Sequence, residues 1–273
     1  NQISNIADSN FNLYIVVVVD GSTDGTVEML SKYFPSVHIV NGTGDWWYTK
    51  SINEGFAYIK KLNIDYVLTL NDDILLKKNF FQVLNKTIDQ APKNSIIGAL
   101  SLTKSNPEKI LSAGVKKIIL WRYKLLPYYK LFTNKDDVPL LKGIHHSMVL
   151  PGRGMLIPYE VLNILKGFDG LFSQYHSDFD FCLRAKKKGY KIFISWELIV
   201  YSFIEETGEG TSYLKTSFKS FLNSFFRKHS RNNLKDNARY LFRHGHKLLF
   251  PLTFLIFMIS CFNSHFFKKK INE

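Results

Sequence analysis

The chain has 273 residues, of which 45% are hydrophobic, 15% aromatic and 22% charged, and this composition argues against a disordered chain or a coiled coil. Two cysteines, Cys182 and Cys261, are too few for a disulfide framework or a cysteine-rich zinc site, and they indicate a reducing compartment. The formal net charge is +13, and residues 206–273 hold 12 Lys/Arg against 4 Asp/Glu. A basic tail of this kind favours an anionic partner, either membrane lipid or nucleic acid.

The first part of the chain alternates predicted strands and helices. Residues 13–19 form a continuous β-branched run, which predicts a strand covered on both faces, and a turn at 20–25 leads into a helix. The alternation continues to residue 102 and is typical of βαβ units in an α/β fold. We expect further strands at 37–40, 66–70 and 95–102, and helices at 49–62 and 80–90.

Residues 105–150 are irregular and aromatic, and regular elements resume after them. Pro158 is suited to the first turn of a helix, and Gly189 is suited to the end of one. In chain order we expect a strand, two helices and two strands, at 152–157, 159–165, 178–188, 191–195 and 198–201.

Acidic side chains follow two of these strands where each strand ends. Asp20 and Asp24 come after the first, and Asn71, Asp72 and Asp73 come after the strand at 66–70. Ligands bind at the carboxyl ends of strands in open α/β sheets, and neighbouring carboxylates repel one another unless a cation offsets their charge. The two clusters therefore indicate a site for a divalent metal and substrate phosphates. Turn formation and helix capping are the alternative for Asp20 and Asp24.

A third acidic cluster falls at the predicted start of the helix 178–188. It contains Asp178 and Asp180, and Arg184 follows four residues after Asp180. Favourable charge at a helix N-terminus and an ordinary surface ion pair explain these residues as well as a functional role does. Only Asp178 taken together with the other two clusters favours catalysis.

Three segments in the same order and spacing resemble the signatures of family 2 glycosyltransferases with the GT-A fold. They read VVVVDGSTDGT, YVLTLNDDILL and RGMLIPYEVLNILKGFDGLFSQYHSDFDFCLRAKKKGYKIF, and they run across residues 13–202. A further segment, GTGDWWYTKSINEG, resembles the rhamnosyltransferase-like subgroup. The resemblance implies a Rossmann-like α/β fold with a mixed, mostly parallel sheet flanked by helices and followed by a basic helical extension.

The resemblance also implies an activity. Such enzymes are inverting hexosyltransferases that move a sugar from a UDP- or dTDP-type nucleoside diphosphate to a saccharide or lipid-linked acceptor, here in the synthesis of a cell-surface polysaccharide. By position, Asp73 is the ligand of a divalent metal, Mn²⁺ or Mg²⁺, and Asp178 is the general base. The residues expected to bind the nucleotide-sugar are Asp20, Ser22, Asp24, Trp46, Trp47, Asn71 and Asp72. The residues expected on the acceptor side are Arg153, Gly154, Asp180 and Arg184.

Several positions depart from the family pattern. Val19 stands where an acidic residue is usual, Asn71 replaces an aspartate, Ser177 a glutamate and Ser202 a histidine. Family members also begin with another strand and helix, whereas 12 residues precede the strand at 13–19. We therefore expect roughly 30 further residues upstream, which would supply the central strand of the sheet. A non-catalytic nucleotide-sugar-binding relative, or an inactive fragment, is the alternative to an enzyme. Core packing is an equal alternative for the two tryptophans.

The C-terminal quarter combines apolar and basic residues. Phe218, Phe221, Leu222 and Phe225 follow helical spacing, which suits either packing on the catalytic domain or a membrane-surface helix. The apolar stretch 248–267 lies between basic residues, which strengthens the membrane interpretation.

We divide the chain into a nucleotide-sugar-binding half at 1–104, an acceptor half at 105–205 and the tail at 206–273. The location expected is cytoplasmic, peripheral on the inner face of the plasma membrane. A nucleic-acid partner is not expected, because the chain has no recognition-helix or zinc-finger spacing.

Overall fold

The computed structural model describes residues 11–105, 108–139, 141–203 and 217–267, which form an α/β fold. Its strands are β1 Val16–Asp20, β2 His38–Gly42, β3 Tyr66–Thr69, β4 Ile74–Leu76, β5 Ile96–Thr103, β6 Lys109–Ser112, β7 Val115–Ile119, β8 Lys124–Pro127, β9 Thr133–Asn134, β10 Ile144–His146, β11 Met155–Pro158 and β12 Ile192–Ser202. Its helices are α1 Thr26–Tyr33, α2 Trp47–Ile59, α3 Phe80–Gln90, α4 Tyr159–Leu165, α5 Ser177–Lys187, α6 Phe218–Ser224, α7 Leu234–His244 and α8 Phe250–Phe267.

The larger sheet has the order β10-β12-β5-β11-β3, and β4 pairs with β12 at one end. Every residue of β5 is buried, and alternate side chains of this strand enter two different hydrophobic clusters. Helices α4 and α5 cover one face through residues such as Val161 and Phe181, while Phe80 and Leu84 of α3 cover the other. Continuous apolar strands are expected in such a sandwiched sheet, because both faces are withdrawn from water.

The sheet is mixed, but the expectation that it is mostly parallel is not met by the described strands. Only β5–β12 and β1–β2 are parallel among the described pairs, and the other ladders are antiparallel. The region 105–150, expected to be irregular, contains the β7–β8 hairpin and other short strands. Only a few residues connect β7 to β8, and a connection this short can join antiparallel strands, whereas parallel strands need a long crossover.

Strands β1 and β2 form a separate parallel pair, and α2 packs against β1. In the described part of the chain, neither strand shares a backbone ladder with the larger sheet. The predicted upstream strand stays a prediction, and residues 1–10 lie outside the described residues.

The elements that were predicted are accurate in type and differ mainly at boundaries, whereas β4 and β6–β10 were not predicted. Helices α3 and α4 have the predicted bounds. The two last strands are instead one strand, β12, because β12 stays paired with β5 across a bulge between Ser195 and Ile199. A bulge interrupts the sequence pattern without ending the strand.

The C-terminal helices pack on this core. Phe221 and Phe225 of the predicted apolar face are buried, whereas Phe218 and Leu222 of the same face are exposed. The segment Lys247–Phe266 has 20 residues with a mean hydropathy of 1.6, which is long and apolar enough to cross a membrane by length and composition alone. The proposed division into three regions stays a prediction. Strands from the predicted nucleotide-sugar-binding half and from the predicted acceptor half belong to the same larger sheet.

Candidate active site

Asp178 lies in the first turn of α5, and its carboxylate is held by backbone groups. Oδ2 accepts a hydrogen bond from the N–H of Gly152 at 3.0 Å, and Oδ1 accepts one from the N–H of Phe179 at 2.8 Å. Burial raises the pKa of Asp178 to about 6, although these hydrogen bonds and the charge of Arg153 act in the opposite direction. A carboxylate with a pKa close to neutral is suited to accept a proton during a reaction.

Arg153 connects Asp178 electrostatically to the acidic turn after β3. Its positive charge opposes the rise in the pKa of both Asp178 and Asp73, and its Nη1 donates to the Oγ of Ser202 at 3.2 Å. Burial outweighs that charge at Asp73 and raises the pKa of this carboxyl, while Asp72 beside it is exposed. The structure therefore brings together the predicted base, the predicted metal ligand and a predicted acceptor-side arginine.

Gly154 explains why these groups meet. Its N–H donates to the carbonyl of Thr69 at the end of β3 at 2.8 Å, and its own carbonyl accepts from Ala99 of β5 at 2.9 Å. Its φ is +74°, and a Cβ would lie 2.8 Å from the Cβ of Ala99, so only glycine fits. Gly154 holds the turn that carries Arg153 against the end of β3.

Tyr48 is a candidate residue that the sequence interpretation missed. Its hydroxyl is buried without a hydrogen-bond partner in the described structure and lies directly against Gly152, where a Cβ would be 1.5 Å from this oxygen. Burial, followed by the charge of Asp178, raises the pKa of Tyr48 well above its ordinary value. The segment GTGDWWYTKSINEG contains this tyrosine, but an aromatic residue in that position does not by itself distinguish a buried hydroxyl at the site from core packing.

Asp20 organises the loop before α2. Its Oδ1 accepts from the N–H of Gly44 at 2.7 Å, and its Oδ2 accepts from the N–H groups of Trp46 and Trp47 at 2.8 and 3.1 Å. Helix capping was the alternative expected for Asp20, and its carboxylate does accept hydrogen bonds from N–H groups at the start of α2. Gly21, at φ +69°, lies against Gly44, and this close approach joins the two turns.

The other residues of the first turn have simpler surroundings. Asp24 accepts from the N–H of Thr26 at 3.1 Å and from its hydroxyl at 2.6 Å, as expected for a residue at the start of α1. Ser22 is exposed, and Asn71 is half-buried beside Asp72. Val19 is 5% exposed and belongs to the buried residues, so the usual acidic position faces the interior here.

The two tryptophans differ in their environment. Trp46 is half-buried, with an indole Nε1 that is buried and unpartnered in the described structure, and the ammonium of Lys50 lies 4.9 Å from its ring. Trp47 is 45% exposed, has a φ of 57° and stacks on His229 with ring centroids 3.5 Å apart. Neither ring belongs to the buried core.

Asp180 and Arg184 form part of a buried network, so the ordinary surface pair proposed as their alternative explanation is wrong. The Asp180 side chain is fully buried and binds Arg184 at 2.7 Å, Arg243 at 2.9 Å and His244 at 2.7 Å. Burial opposes ionisation of Asp180, but the hydrogen bonds from these three partners outweigh it and lower its pKa to about 2. The network joins α5 to α7.

A pocket of about 130 Å³ adjoins Arg153, one of the residues predicted on the acceptor side. Arg153 and Phe179, the neighbour of Asp178, both line it, so the pocket opens next to the predicted base. Its remaining lining combines two hydroxyls with apolar side chains: Ser101, Leu111, Ser112, Val115, Val149 and Pro151. Apolar walls with a few convergent polar groups are typical of ligand sites.

The residues after β3 fit a divalent cation that shares its ligands with a substrate. The Oδ1 of Asp73 is buried without a hydrogen-bond partner in the part of the chain that the structure describes, and a cation would satisfy it. No three His, Cys, Asp or Glu side chains converge among the described residues. This donor set suits Mg²⁺ or Mn²⁺, which commonly take one or two carboxylates together with substrate phosphates.

Comparison with solved structures supports the fold. The chain is 13% identical to GalNAc-T7, crystallised with UDP, GalNAc and Mn²⁺, with a TM-score of 0.57 over 90% of this chain and 52% of that one. The chain thus spans about half the length of that enzyme. It is also 13% identical to the mannosyltransferase PcManGT from Pyrobaculum calidifontis in complex with GDP-Man and Mn²⁺, with a TM-score of 0.51 over 98% of this chain and 71% of that one. These neighbours share the GT-A fold.

Sequence comparison is more specific. The chain is 22% identical over 236 residues to the rhamnosyltransferase WbbL from Escherichia coli (strain K12), covering 83% of this chain and 86% of that protein. The model of the family described as "Glycosyltransferase like family 2" matches residues 1–222. Because this match covers most of the chain, including the site around Asp178, the chain belongs to glycosyltransferase family 2.

Proposed function

We propose that this glycosyltransferase moves a hexose or deoxyhexose from a UDP- or dTDP-type nucleoside diphosphate to a saccharide or lipid-linked acceptor, with inversion at the anomeric carbon. The observation that carries the proposal is the buried carboxylate of Asp178, which interacts electrostatically with Arg153 and Tyr48 next to a pocket. The names of the relatives support a nucleoside diphosphate donor, because those crystal structures contain UDP or GDP-Man.

Asp178 is proposed as the general base. Its carboxylate takes the proton of the acceptor hydroxyl while that oxygen forms a bond to the anomeric carbon. The bond from this carbon to the diphosphate oxygen breaks, and the diphosphate leaves with the electron pair from the opposite face. A positioned base of this kind contributes about 10²–10⁴-fold to the rate.

The donor side is proposed at the ends of β1 and β3. Asp73, with Asp72 beside it, would hold a divalent metal, which supplies positive charge to the leaving diphosphate when bound. Asn71, Ser22 and Asp24 are proposed to face the nucleotide-sugar. Asp20 acts indirectly, since its carboxylate holds the loop that presents Trp46 and Trp47, and aromatic faces suit the C–H surfaces of sugars.

On the acceptor side, Arg153 is proposed to contact the acceptor in the adjoining pocket, and Gly154 to position it. Asp180 and Arg184 were expected there as well, but their contacts favour a structural role in which they hold α5 against α7. A lipid-linked acceptor would place the enzyme on the inner face of the plasma membrane, where a surface polysaccharide is assembled. The basic tail supports that location.

Calorimetric titration of the full chain with UDP and dTDP, with and without Mn²⁺, tests the donor site. Binding that depends on Mn²⁺ and is lost in Asp73→Ala supports the site, whereas binding unaffected by that substitution contradicts the assigned metal ligand. Glu28→Ala on exposed α1 serves as a matched carboxylate control.

Turnover separates the enzyme from a non-catalytic nucleotide-sugar-binding relative. The assay follows release of UDP or dTDP from the corresponding sugar donors in the presence of candidate acceptors. Transfer that Asp178→Asn reduces at least about 100-fold, with nucleotide affinity unchanged, supports the base. Nucleotide binding without transfer to any acceptor favours the non-catalytic relative, for which the buried Val19 is the motivating observation.

A further inference from the structure

Helix α8 packs on the rest of the domain along one stripe. Thr253, Phe257 and Cys261 are 3%, 0% and 8% exposed, and they follow one another at four-residue spacing. The stripe continues to His265, whose ring stacks on Phe221 at 4.2 Å. From Thr253 to His265 the helix axis advances about 18 Å, so contact with the domain extends along most of its length.

The opposite stripe of α8 is apolar and exposed. Its residues fall within one sector of the helix at 100° per residue, and their exposed fractions lie between 47% and 85%. They are Leu248, just before the helix, followed by Leu252, Leu255, Ile259 and Phe266. The helix itself contains no Asp, Glu, Lys or Arg. The exposed Asn263 interrupts this stripe between Ile259 and Phe266. An exposed, largely apolar surface of this kind marks an interaction site.

Aromatic and basic side chains lie close to α8 on neighbouring elements. The turn Leu120–Arg122 packs on α8, and the hydroxyl of Thr253 donates to the carbonyl of Trp121 at 3.4 Å. Trp121 is 42% exposed, and Arg122 and Lys124 beside it are exposed. Lys247 is also exposed, at the N-terminal end of α8.

We infer that this composite surface binds an anionic lipid bilayer, with α8 lying in the plane of the membrane. The inference rests on the proposed membrane location and names the surface and the orientation. Apolar side chains rimmed by Trp, Lys and Arg match the acyl boundary and the anionic headgroups respectively.

The buried stripe argues against a span. If α8 crossed the bilayer, the polar groups packed against it would enter the hydrocarbon, including the Trp121 carbonyl and the Asn232 side chain near Cys261. Lying flat, the same helix leaves those groups on the protein side. The basic rim argues against a second copy of this surface, because the like charges of the two rims would repel.

Co-sedimentation of the full chain with vesicles tests the inference. We expect binding to equal mixtures of phosphatidylcholine and phosphatidylglycerol, weak binding to phosphatidylcholine alone, and at least about tenfold weaker binding for Leu255→Ser/Ile259→Ser. The control Ile164→Ser removes a comparably exposed side chain from α4 and should bind normally. Equal binding by all three proteins overturns the inference. Calorimetric nucleotide binding is measured on each variant, so that a failure of lipid binding is distinguished from a failure of the donor site.

Depth measurements test the orientation. Leu252→Cys, Ile259→Cys and Phe266→Cys are labelled singly with a fluorophore, since the native Cys182 and Cys261 are buried. Quenching by nitroxide lipids at one shallow depth for all three labels supports a helix lying flat. Depth that increases steadily, or passes through the bilayer centre, shows a span and overturns the inference. Absence of quenching together with a dimer by light scattering assigns the surface to a second copy and overturns it as well.

Discussion

At the scale of single residues, the site depends on one carboxylate that the fold keeps away from water. Asp178 is withdrawn from solvent, yet it accepts two backbone hydrogen bonds and lies within the field of Arg153. Burial and these favourable interactions oppose each other, and the pKa of about 6 is the outcome. In the proposed mechanism the same balance sets the pH at which the base is ionised, and it also affects the stability of the protein.

The pH dependence of kcat/KM is the first prediction. A base must be ionised, so kcat/KM should rise with pH, reach half of its maximum near pH 6 and level off about one pH unit higher, with a single protonation controlling the acid limb. Arg153→Met should move this limb to higher pH, because the arginine charge lowers the pKa of Asp178, and Arg153→Lys should leave it near its original position. An acid limb that does not move in the methionine variant would contradict the assignment.

Ionised Asp178 should also destabilise the folded enzyme when no substrate is bound. Its folded-state pKa, about 6, lies above the ordinary value of 3.8, so its favourable contribution is complete below pH 3.8 and is lost as the pH rises through 6. The ionised form is then disfavoured by about 3 kcal/mol. Asp178→Asn removes this buried charge but leaves one of the two backbone N–H groups without an acceptor at every pH. The Tm of the variant relative to that of the wild type should therefore rise as the pH increases from 4 to 7. A Tm difference that does not depend on pH would refute this explanation.

Tyr48→Phe tests the unpartnered hydroxyl. Removing a buried group that makes no hydrogen bond in the described structure should leave the Tm unchanged or raise it. If the hydroxyl binds a ligand beside Asp178, nucleotide-sugar or acceptor affinity should fall about tenfold. Tyr66→Phe at an exposed position is the control. Loss of stability without loss of affinity would show that the hydroxyl has a structural partner instead.

At the scale of elements, hydrophobic patterning was enough to predict most of the described helices and half of the described strands. The positions of α3 and α4 followed from periodicity and from Pro158. The antiparallel partners of β11 were not predictable, because the direction of a strand depends on the path of residues 105–150, whose short strands lack a clear pattern. The site was predicted as far as motif residues mark it, whereas the contact of Tyr48 with Gly152 depends on packing across the fold.

The joint between α5 and α7 gives a prediction at this scale. Asp180→Asn removes the charge that holds Arg243 and His244 and leaves buried donors without their partner. We expect a loss of about 3–5 kcal/mol in the free energy of unfolding. Denaturant unfolding measures it, and hydrogen exchange in α7 should rise more than in α3. Asp169→Asn, which removes only the second partner of Arg243, should cost less.

At the scale of the whole molecule, the segment between α6 and α7 contacts the start of α2, next to the loop that is proposed to bind the donor. His229 stacks on Trp47, and the hydroxyl of Ser173 donates to the carbonyl of Lys228 at 2.8 Å. The N–H of Thr49 donates to the carbonyl of Ser173 at 3.1 Å, which links both contacts to the start of α2. The basic C-terminal region is therefore in direct contact with residues of the proposed nucleotide site.

His229→Ala should weaken donor binding although His229 was not among the predicted site residues. The stack contributes on the order of 0.5–1.5 kcal/mol, and it holds Trp47 in a left-handed conformation that is otherwise unfavourable. Calorimetry should show a severalfold lower nucleotide affinity, and His229→Phe should restore it. Unchanged affinity in the alanine variant would show that the tail and the loop are independent.

The buried stripe of α8 also determines how the enzyme would meet a lipid-linked acceptor. If α8 lies in the membrane plane as inferred, a domain held along Thr253, Phe257 and Cys261 keeps a constant tilt and diffuses only laterally. Encounter with the acceptor is then a search in two dimensions, and its rate follows the number of acceptor molecules per unit area. Diluting the acceptor with inert lipid should therefore lower the encounter rate even when the bulk concentration of the acceptor is unchanged.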